Sequence, residues 1–409
     1  MGVAGMLKDA LRPAWRKVNA VRCTASNRIK WAYGRRLAKS TPIDSCKVVL
    51  SCNFGRGFLC NPKYIAEALE RLYPGEFDIV LLAKERDNGL PPYLRQVRYG
   101  SLAAQRELAS ARFWIYNFRN DEKFVPKRDE QVYIQTWHAF VSPKRVERDV
   151  DDKLEPAYVA AAMRDGAMTD LMFADNDLYE DVYERAFWYS GPVVRCGNPR
   201  NRPLIRGDEQ ARAKARRALG VSDGTKLCLY APTFRKDDGM DVYRFDYDAV
   251  ARALRERFGG EFAFAYRLHP NIASLPRPEF LQGHIDASFY PDTQELLAAA
   301  DVLLTDYSSI LEDFMLTGRP GFVYAPDIDE YVDDRGFYYS MKDRPFPVAR
   351  NEGELISNVI GYSEEEHGRA VECFSKLIGL EEDGRGDEAI ARIIHALTRP
   401  GRKVSDVIE

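Results

Sequence analysis

The run YIQTWH (133–138) ends in His138, one of only five histidines in 409 residues. An imidazole titrates near neutrality, so a histidine at the carboxyl end of a buried strand can take a proton from a hydroxyl. It can equally hydrogen-bond within a cleft wall, and the motif alone leaves both uses open. A second histidine lies in RLHP (267–270). Arg267 and His269 are two apart, so on an extended strand they share a face. A cation beside an imidazole suits a phosphate or diphosphate, and an ion pair with an acid of a neighbouring unit is the other use. The third cluster is TDYSSILED (305–313), where Thr305, Ser308 and Ser309 supply hydroxyls between a strand and a helix. Ser309-Ile310-Leu311-Glu312 has capping-box spacing, which starts the helix at Ser309. Free N–H groups and the helix dipole make such an end an anion site. Capping requires one hydroxyl rather than three, which favours a ligand. Arg235 ends YAPTFR (230–235) beyond another strand, and Arg200 lies in GNPRN (197–201). Gly55-Arg56-Gly57 follows the first apolar run but lacks the spacing of a dinucleotide fingerprint.

These residues need strands to end beneath them. Apolar runs at 47–52, 77–83, 112–116 and 132–136 alternate with helical patterns, and the pattern restarts at 226–231, 262–268, 301–305 and 321–324. Short apolar runs separated by helices predict βαβ units and parallel sheets. The expected fold class is α/β, with two doubly wound halves facing a cleft and ligands beyond the strands' carboxyl ends. The boundaries this predicts are a basic arm over 1–40, one half over 41–205 and a second over 206–409.

Composition is that of a globular protein, with 45% hydrophobic and 30% charged residues. Seven cysteines without a CxxC pair give no support for a zinc ribbon or a disulfide framework. The net charge of −3 hides a polarity: residues 1–40 carry +9 and the remainder −12. The arm has no apolar core of a signal peptide. Leu7, Leu11, Trp15 and Val18 fall at helical spacing beside basic residues, as in a helix lying on an anionic leaflet, although Pro13 interrupts it. A solvated basic tail is the other reading. No nucleic-acid recognition motif accompanies the arm. No Walker A, GxSxG or HExxH sequence and no Cys/His metal cluster occurs.

Read in order, Asn61-Pro62-Lys63, YIQTWH, Ala186-Phe187-Trp188, GNPRN, YAPTFR, RLHP, TDYSSILEDF (305–314) and Arg335-Gly336-Phe337-Tyr338 resemble the CDP-glycerol glycerophosphotransferases, teichoic-acid-type CDP-alditol phosphotransferases. The resemblance covers about 47–390. It implies a GT-B-like fold with an active site between Rossmann-like halves. It implies a CDP-glycerol or CDP-ribitol donor, which is a substrate, so that no cofactor is expected. The implied acceptor is a hydroxyl of a lipid-linked polyol-phosphate or glycan, with CMP released. The implied setting is the inner face of the cell membrane, a peripheral attachment that favours the anionic-surface reading of the arm; no nucleic acid is expected. His138 matches the general base of this family, and His269 the histidine at the donor phosphates or the leaving group. Thr305, Ser308 and Ser309 match its diphosphate cradle. Arg235 and Arg267 join as cations at strand ends, Arg200 as a cation near the inferred junction of the halves, and Asp313 as a partner for ribose hydroxyls. Two residues depart from the family pattern. Ala139 stands where glycine is common, a problem if the backbone needs positive φ. Arg202 stands where an aspartate is common, which could alter what that loop holds. A GT-B nucleotide-sugar glycosyltransferase and an inactive membrane-docked scaffold of the same fold are the alternatives.

Overall fold

The computed structural model describes residues 27–120, 124–139, 142–235, 240–269, 272–273, 275–328 and 336–408. Most of the basic arm (1–26), Pro270 and Arg335 lie outside the described residues.

Two parallel sheets form the frame. The first contains β1 (Asp44–Ser51), β2 (Asp78–Ala83), β3 (Leu94–Arg98), β4 (Ala111–Tyr116) and β5 (Val132–Gln135), in the order β3-β2-β1-β4-β5. A parallel bridge from Ile134 to Leu171 extends it to the pair β6 (Met172–Ala174) and β7 (Val193–Arg195). The second sheet contains β8 (Lys226–Tyr230), β9 (Phe262–Tyr266), β10 (Ile285–Asp286), β11 (Val302–Thr305), β12 (Gly321–Tyr324) and β13 (Val348–Ala349). Its order is β10-β9-β8-β11-β12-β13. Continuous apolar runs such as VVL in β1 and VLL in β11 are buried because helices cover both faces of a parallel sheet. The eight apolar runs read from sequence are all strands. Those not anticipated (β3, β6, β7, β10, β13) are short, and β3 reads LRQVR, an edge strand with charge along it.

In each sheet the strand order reverses beside the first strand, between β1 and β4 and between β8 and β11. Loops diverge there and leave a crevice at the carboxyl ends. The two crevices are built alike. In the first half Asn53 and Asn117 bridge it, Asn117 Nδ2 donating to Asn53 Oδ1 at 2.7 Å and Asn53 N–H to Asn117 Oδ1 at 2.8 Å. In the second, Asp306 accepts from Thr233 N–H and Thr233 Oγ1, both at 2.9 Å.

The halves are joined by buried charge as well as by apolar packing. Lys63 Nζ, on the helix Cys60–Leu72, meets Asp292 at 2.6 Å and Glu295 at 2.7 Å at the start of the helix Thr293–Ala299. Arg200 meets Asp313 at 2.6 Å. The chain also crosses back. The helix Gly386–Leu397 buries Ile390, Ala391, Ile394 and Leu397 in the core that contains Val48, Leu50 and Ile65 of the first half. A second half running unbroken from 206 to 409 is therefore corrected at this helix, whose apolar stripe matches the first sheet's helix layer rather than its own. Among the described residues no helix is long and apolar enough to cross a membrane.

Candidate active site

His138 is presented by a strained turn. After β5 the chain enters Trp137 at φ +51°, a left-handed conformation that costs an aromatic residue roughly 1–3 kcal/mol. Gln135 compensates: its Oε1 accepts the Trp137 N–H at 2.9 Å. Its Nε2 is fixed in turn by Phe118 O (3.0 Å), Tyr133 Oη (3.0 Å) and Asp165 (3.2 Å). Asp165 and Glu147 hold Arg119 at 2.9 and 2.7 Å, and that guanidinium lies over the Trp137 and Phe187 rings. From the other side Asn61 Nδ2 donates to Thr136 O at 3.1 Å, and Asn61 Oδ1 accepts Arg200 N–H at 3.0 Å. Arg200 donates to His138 O at 2.9 Å. The scattered motifs NPK, TWH and GNPRN thus converge on one turn.

The imidazole is oriented and neutral. Nδ1 lies 3.0 Å from Asn117 O. A carbonyl only accepts, so Nδ1 carries the hydrogen and Nε2 keeps its lone pair. The ring stacks on Phe118 with centroids 3.9 Å apart. Burial pushes its pKa down to about 4, with Arg200 and Arg119 adding to the fall and the Asn117 carbonyl opposing it.

His269 follows β9 and is exposed, with its ring against Phe234 at 5.5 Å. Partial burial lowers its pKa, and Arg56 and Lys144, both from the first half, lower it further. Positive charge from the first half thus acts on His269 of the second. Arg56 comes from the turn after β1, where Asn53, Phe54 and Gly55 all have positive φ. A Cβ at Gly55 would lie 2.8 Å from the Tyr99 ring, so glycine is required by space as well as by φ. Gly55-Arg56-Gly57 carried only weak weight in the sequence, and Lys144 carried none. The available signal for Lys144 was its place in a charged loop shortly after His138.

Several expected ligands are already engaged. Thr305 is buried and donates its hydroxyl hydrogen to Ala231 O at 2.6 Å, tying β11 to the loop after β8. Arg235 is held between Asp306 (2.6 Å) and Asp327 (2.8 Å), the ion-pair alternative for such an arginine. Arg267 donates to Tyr290 O (2.6 Å), Ala287 O and Thr293 Oγ1, on the β10 side of β9, whereas His269 faces Phe234 on the β8 side. The two do not share a face, because the extended strand ends at Tyr266. Asp313 is buried against Arg200, bracing the halves, and its pKa is raised to about 6 by desolvation. Arg200 likewise braces. All five thus have partners within the protein, and a charge or hydroxyl buried beside a complementary group is satisfied there.

Ser308 and Ser309 are half-buried. Ser309 is the N-cap of the helix Ile310–Met315, but its side chain makes no capping bond and its backbone is already helical. The capping box expected with Glu312 is absent. Glu312 instead receives Arg344 at 2.6 and 2.9 Å and Tyr339 Oη at 2.9 Å. Arg344, which the sequence reading passed over, also donates to Asp306 O (2.9 Å) and Ser308 O (3.0 Å) and so shapes the Asp306–Ser308 loop.

The two departures resolve. Ala139 is buried and is not among the residues with positive φ; the left-handed residue is Trp137, two positions earlier. Arg202 lies 3.3 Å from the buried Asp387 on the returning helix Gly386–Leu397, so its reversed charge is met inside the protein.

Residues 34–396 match the family model of CDP-glycerol:poly(glycerophosphate) glycerophosphotransferase. The chain belongs to that family. Its relatives include teichoic acid poly(glycerol phosphate) polymerases. The one from Bacillus subtilis is 28% identical over 378 residues, 88% of this chain and 50% of the relative. The one from Bacillus spizizenii is 28% identical over 343 residues, 79% of this chain and 85% of the relative. This chain thus spans about half the length of the Bacillus subtilis relative. A teichoic acid poly(ribitol-phosphate) polymerase of Bacillus spizizenii is 31% identical over 174 residues, 40% of this chain and 27% of the relative. Among solved structures, the wall teichoic acid polymerase TagF, in a histidine-to-asparagine variant soaked with CDPG, superposes with a TM-score of 0.80 at 25% identity. That likeness covers 95% of this chain and 98% of the other. The family's GT-B-like pair of doubly wound halves is the architecture seen here.

Proposed function

We propose that this chain transfers a polyol phosphate, glycerol phosphate foremost, from a CDP-alditol to a hydroxyl of a membrane-linked teichoic-acid-like polymer or primer, releasing CMP. The observation that carries the reading is His138: a neutral imidazole whose Nδ1–H is engaged by a backbone carbonyl and whose Nε2 is left to accept a proton. The family membership and the CDPG named with the TagF structure support the donor class.

The acceptor oxygen attacks the β-phosphorus as His138 Nε2 takes its proton. The bond from that phosphorus to the CMP oxygen breaks, and CMP leaves with the electron pair. His269, Arg56 and Lys144 offset charge on the phosphoryl oxygens and the leaving group. Ser308 and Ser309 donate to the diphosphate. Phosphoryl transfer rests mainly on positioning and electrostatics, and the braces Lys63–Asp292 and Arg200–Asp313 hold the halves at one separation. Acceptor and donor then meet at the inner membrane face, with the basic arm on anionic lipid.

The test is CMP release with CDP-glycerol and CDP-ribitol side by side and a lipid-linked acceptor. His138→Ala should lower turnover ~10²–10⁴-fold with donor binding intact. Normal turnover by that variant would sink the base assignment. Release of UDP from a nucleotide sugar instead would favour a glycosyltransferase. The scaffold alternative rested on Ala139 and Arg202; the absence of a positive φ at Ala139 and the Arg202–Asp387 pair support the transferase reading over it.

A further inference from the structure

Asn117 is wholly buried just beyond Tyr116, where β4 leaves its pairing with Ser51 of β1. Its polar atoms face two ways. Towards β5 its carbonyl oxygen accepts the His138 Nδ1–H at 3.0 Å. Towards β1 its amide closes on Asn53 through two hydrogen bonds. Oδ1 accepts the Asn53 N–H at 2.8 Å, and Nδ2 donates to Asn53 Oδ1 at 2.7 Å. A backbone N–H can only donate, so the Asn117 amide has one possible orientation. The amide also lies within hydrogen-bonding reach of Cys60, at the start of the helix Cys60–Leu72.

The turn on the Asn53 side is strained. Asn53 (φ +47°), Phe54 (+57°) and Gly55 (+78°) follow one another in the left-handed region. Asparagine and glycine tolerate it, but a phenylalanine holds it only where its surroundings enforce it. The Asn117 amide supplies one such constraint. The Phe54 ring supplies a second: it lies 4.8 Å from Phe118, which stacks on His138 at 3.9 Å. Cys52 O accepts from Gly55 and Arg56 N–H at 2.9 and 3.0 Å, and Arg56 leaves the turn exposed. Asn117 and Phe118 thus stand between the turn that carries Arg56 and the imidazole. Towards β5 this stretch is tied by Thr136 N–H to Tyr116 O at 2.8 Å and by Gln135 Nε2 to Phe118 O at 3.0 Å. Towards β1 the Asn53 pair ties it.

We propose that Asn117 is a positioning residue: its carbonyl selects the His138 tautomer, its amide holds the turn 53–57, and the base and the Arg56 turn are thereby set as one unit. The inference rests on the role of His138 proposed above, but the tautomer itself belongs to the donor-free protein. It has a consequence for Asn53, whose side chain bonds Asn117 and not His138. Removing that acceptor should disturb the imidazole through Asn117.

The experiment pairs two readouts on the full chain. Heteronuclear NMR of the donor-free protein, labelled at histidine nitrogen, reports the tautomer, with His138→Gln assigning the resonance. CMP release at saturating CDP-glycerol or CDP-ribitol reports kcat. Asn53→Gly keeps the left-handed backbone without strain and removes the acceptor, so it folds even where Asn117→Leu lowers the yield. Asn53→Asp keeps the backbone N–H and an acceptor oxygen. Asn117→Leu removes the amide at similar volume. Wild type and Asn53→Asp should show the Nδ1–H form. Asn53→Gly and Asn117→Leu should show it mixed with the Nε2–H form, and kcat should fall ~10–100-fold, as for a slightly misplaced catalytic group. Asn53→Gly/Asn117→Leu should lie within ~2-fold of Asn117→Leu, because both act through one pair. The inference is overturned if Asn53→Gly and Asn117→Leu keep the wild-type tautomer, if Asn53→Asp falls as far as Asn53→Gly, or if the losses multiply in the double variant. Absence of CMP release by wild type refutes the transferase reading alone, and the tautomers still decide the role of Asn117.

Discussion

Acid should test His138 more sharply than substitution does. In the donor-free protein burial holds its imidazole at about 4, against 6.5 for the free side chain. The acid limb of kcat/KM reports the base in the free enzyme, so turnover should persist well below neutrality. At pH ~5.5 a base of pKa ~4 is about 97% unprotonated, whereas one at ~6.5 is about 10% unprotonated. The expected ratio of kcat/KM between pH ~5.5 and ~7.5 is therefore close to 1, not ~0.1. The same depression makes a stability statement. Between about 4 and 6.5 the unfolded chain binds the proton that the folded chain refuses, so stability rises with pH across that window and is lost as pH falls through it. The full gap corresponds to about 3 kcal/mol. His138→Gln removes this dependence, so the wild-type-minus-variant difference in denaturant midpoint, followed from pH 4 to 7, isolates it from the other titrating groups. A flat difference, or an acid limb of kcat/KM near 6.5, would refute the argument that a desolvated, neutral His138 is the base.

Lys63→Met leaves Asp292 buried without its cation and Glu295 with Lys214 as its remaining one, and urea unfolding should show a loss of about 3–5 kcal/mol. Thr305→Val should cost about 1 kcal/mol of stability and leave donor affinity unchanged, while Ser308→Ala/Ser309→Ala should weaken donor binding in calorimetry; the reverse pattern would restore Thr305 as a ligand. Gln135→Leu withdraws the acceptor that holds Trp137 N–H, and kcat should fall ~10-fold or more with donor Kd unchanged. Ala139→Gly should leave turnover as it is and cost about 0.5–1 kcal/mol in thermal unfolding, since φ there is not positive.

Much of the fold was legible because continuous apolar runs such as KVVLSC and DVLLT have one stable home, the interior of a parallel sheet. The candidate base was legible too, because a histidine placed just after such a run has to sit at a strand's carboxyl end. Edge strands such as LRQVR were not, since half-exposed strands carry the charges that loops carry. The helix Gly386–Leu397 was recognisable as amphipathic but not as a return to the first half, because a stripe of Ile and Leu does not specify which core receives it.

Residue types and their order are written in the chain itself: two histidines after strands, a hydroxyl-rich strand-to-helix loop and a surplus of arginines. Which partners each of them meets follows from the tertiary fold. Folding places Arg235, Arg200 and Asp313 each beside an opposite charge, and the Thr305 hydroxyl against Ala231 O. Arg56 and Lys144, modest in the sequence, face His269 across the cleft. The physical reason is that burial and partnership come from contacts distant in the chain, as between Lys63 and Asp292, and no local pattern encodes a separation that folding alone removes.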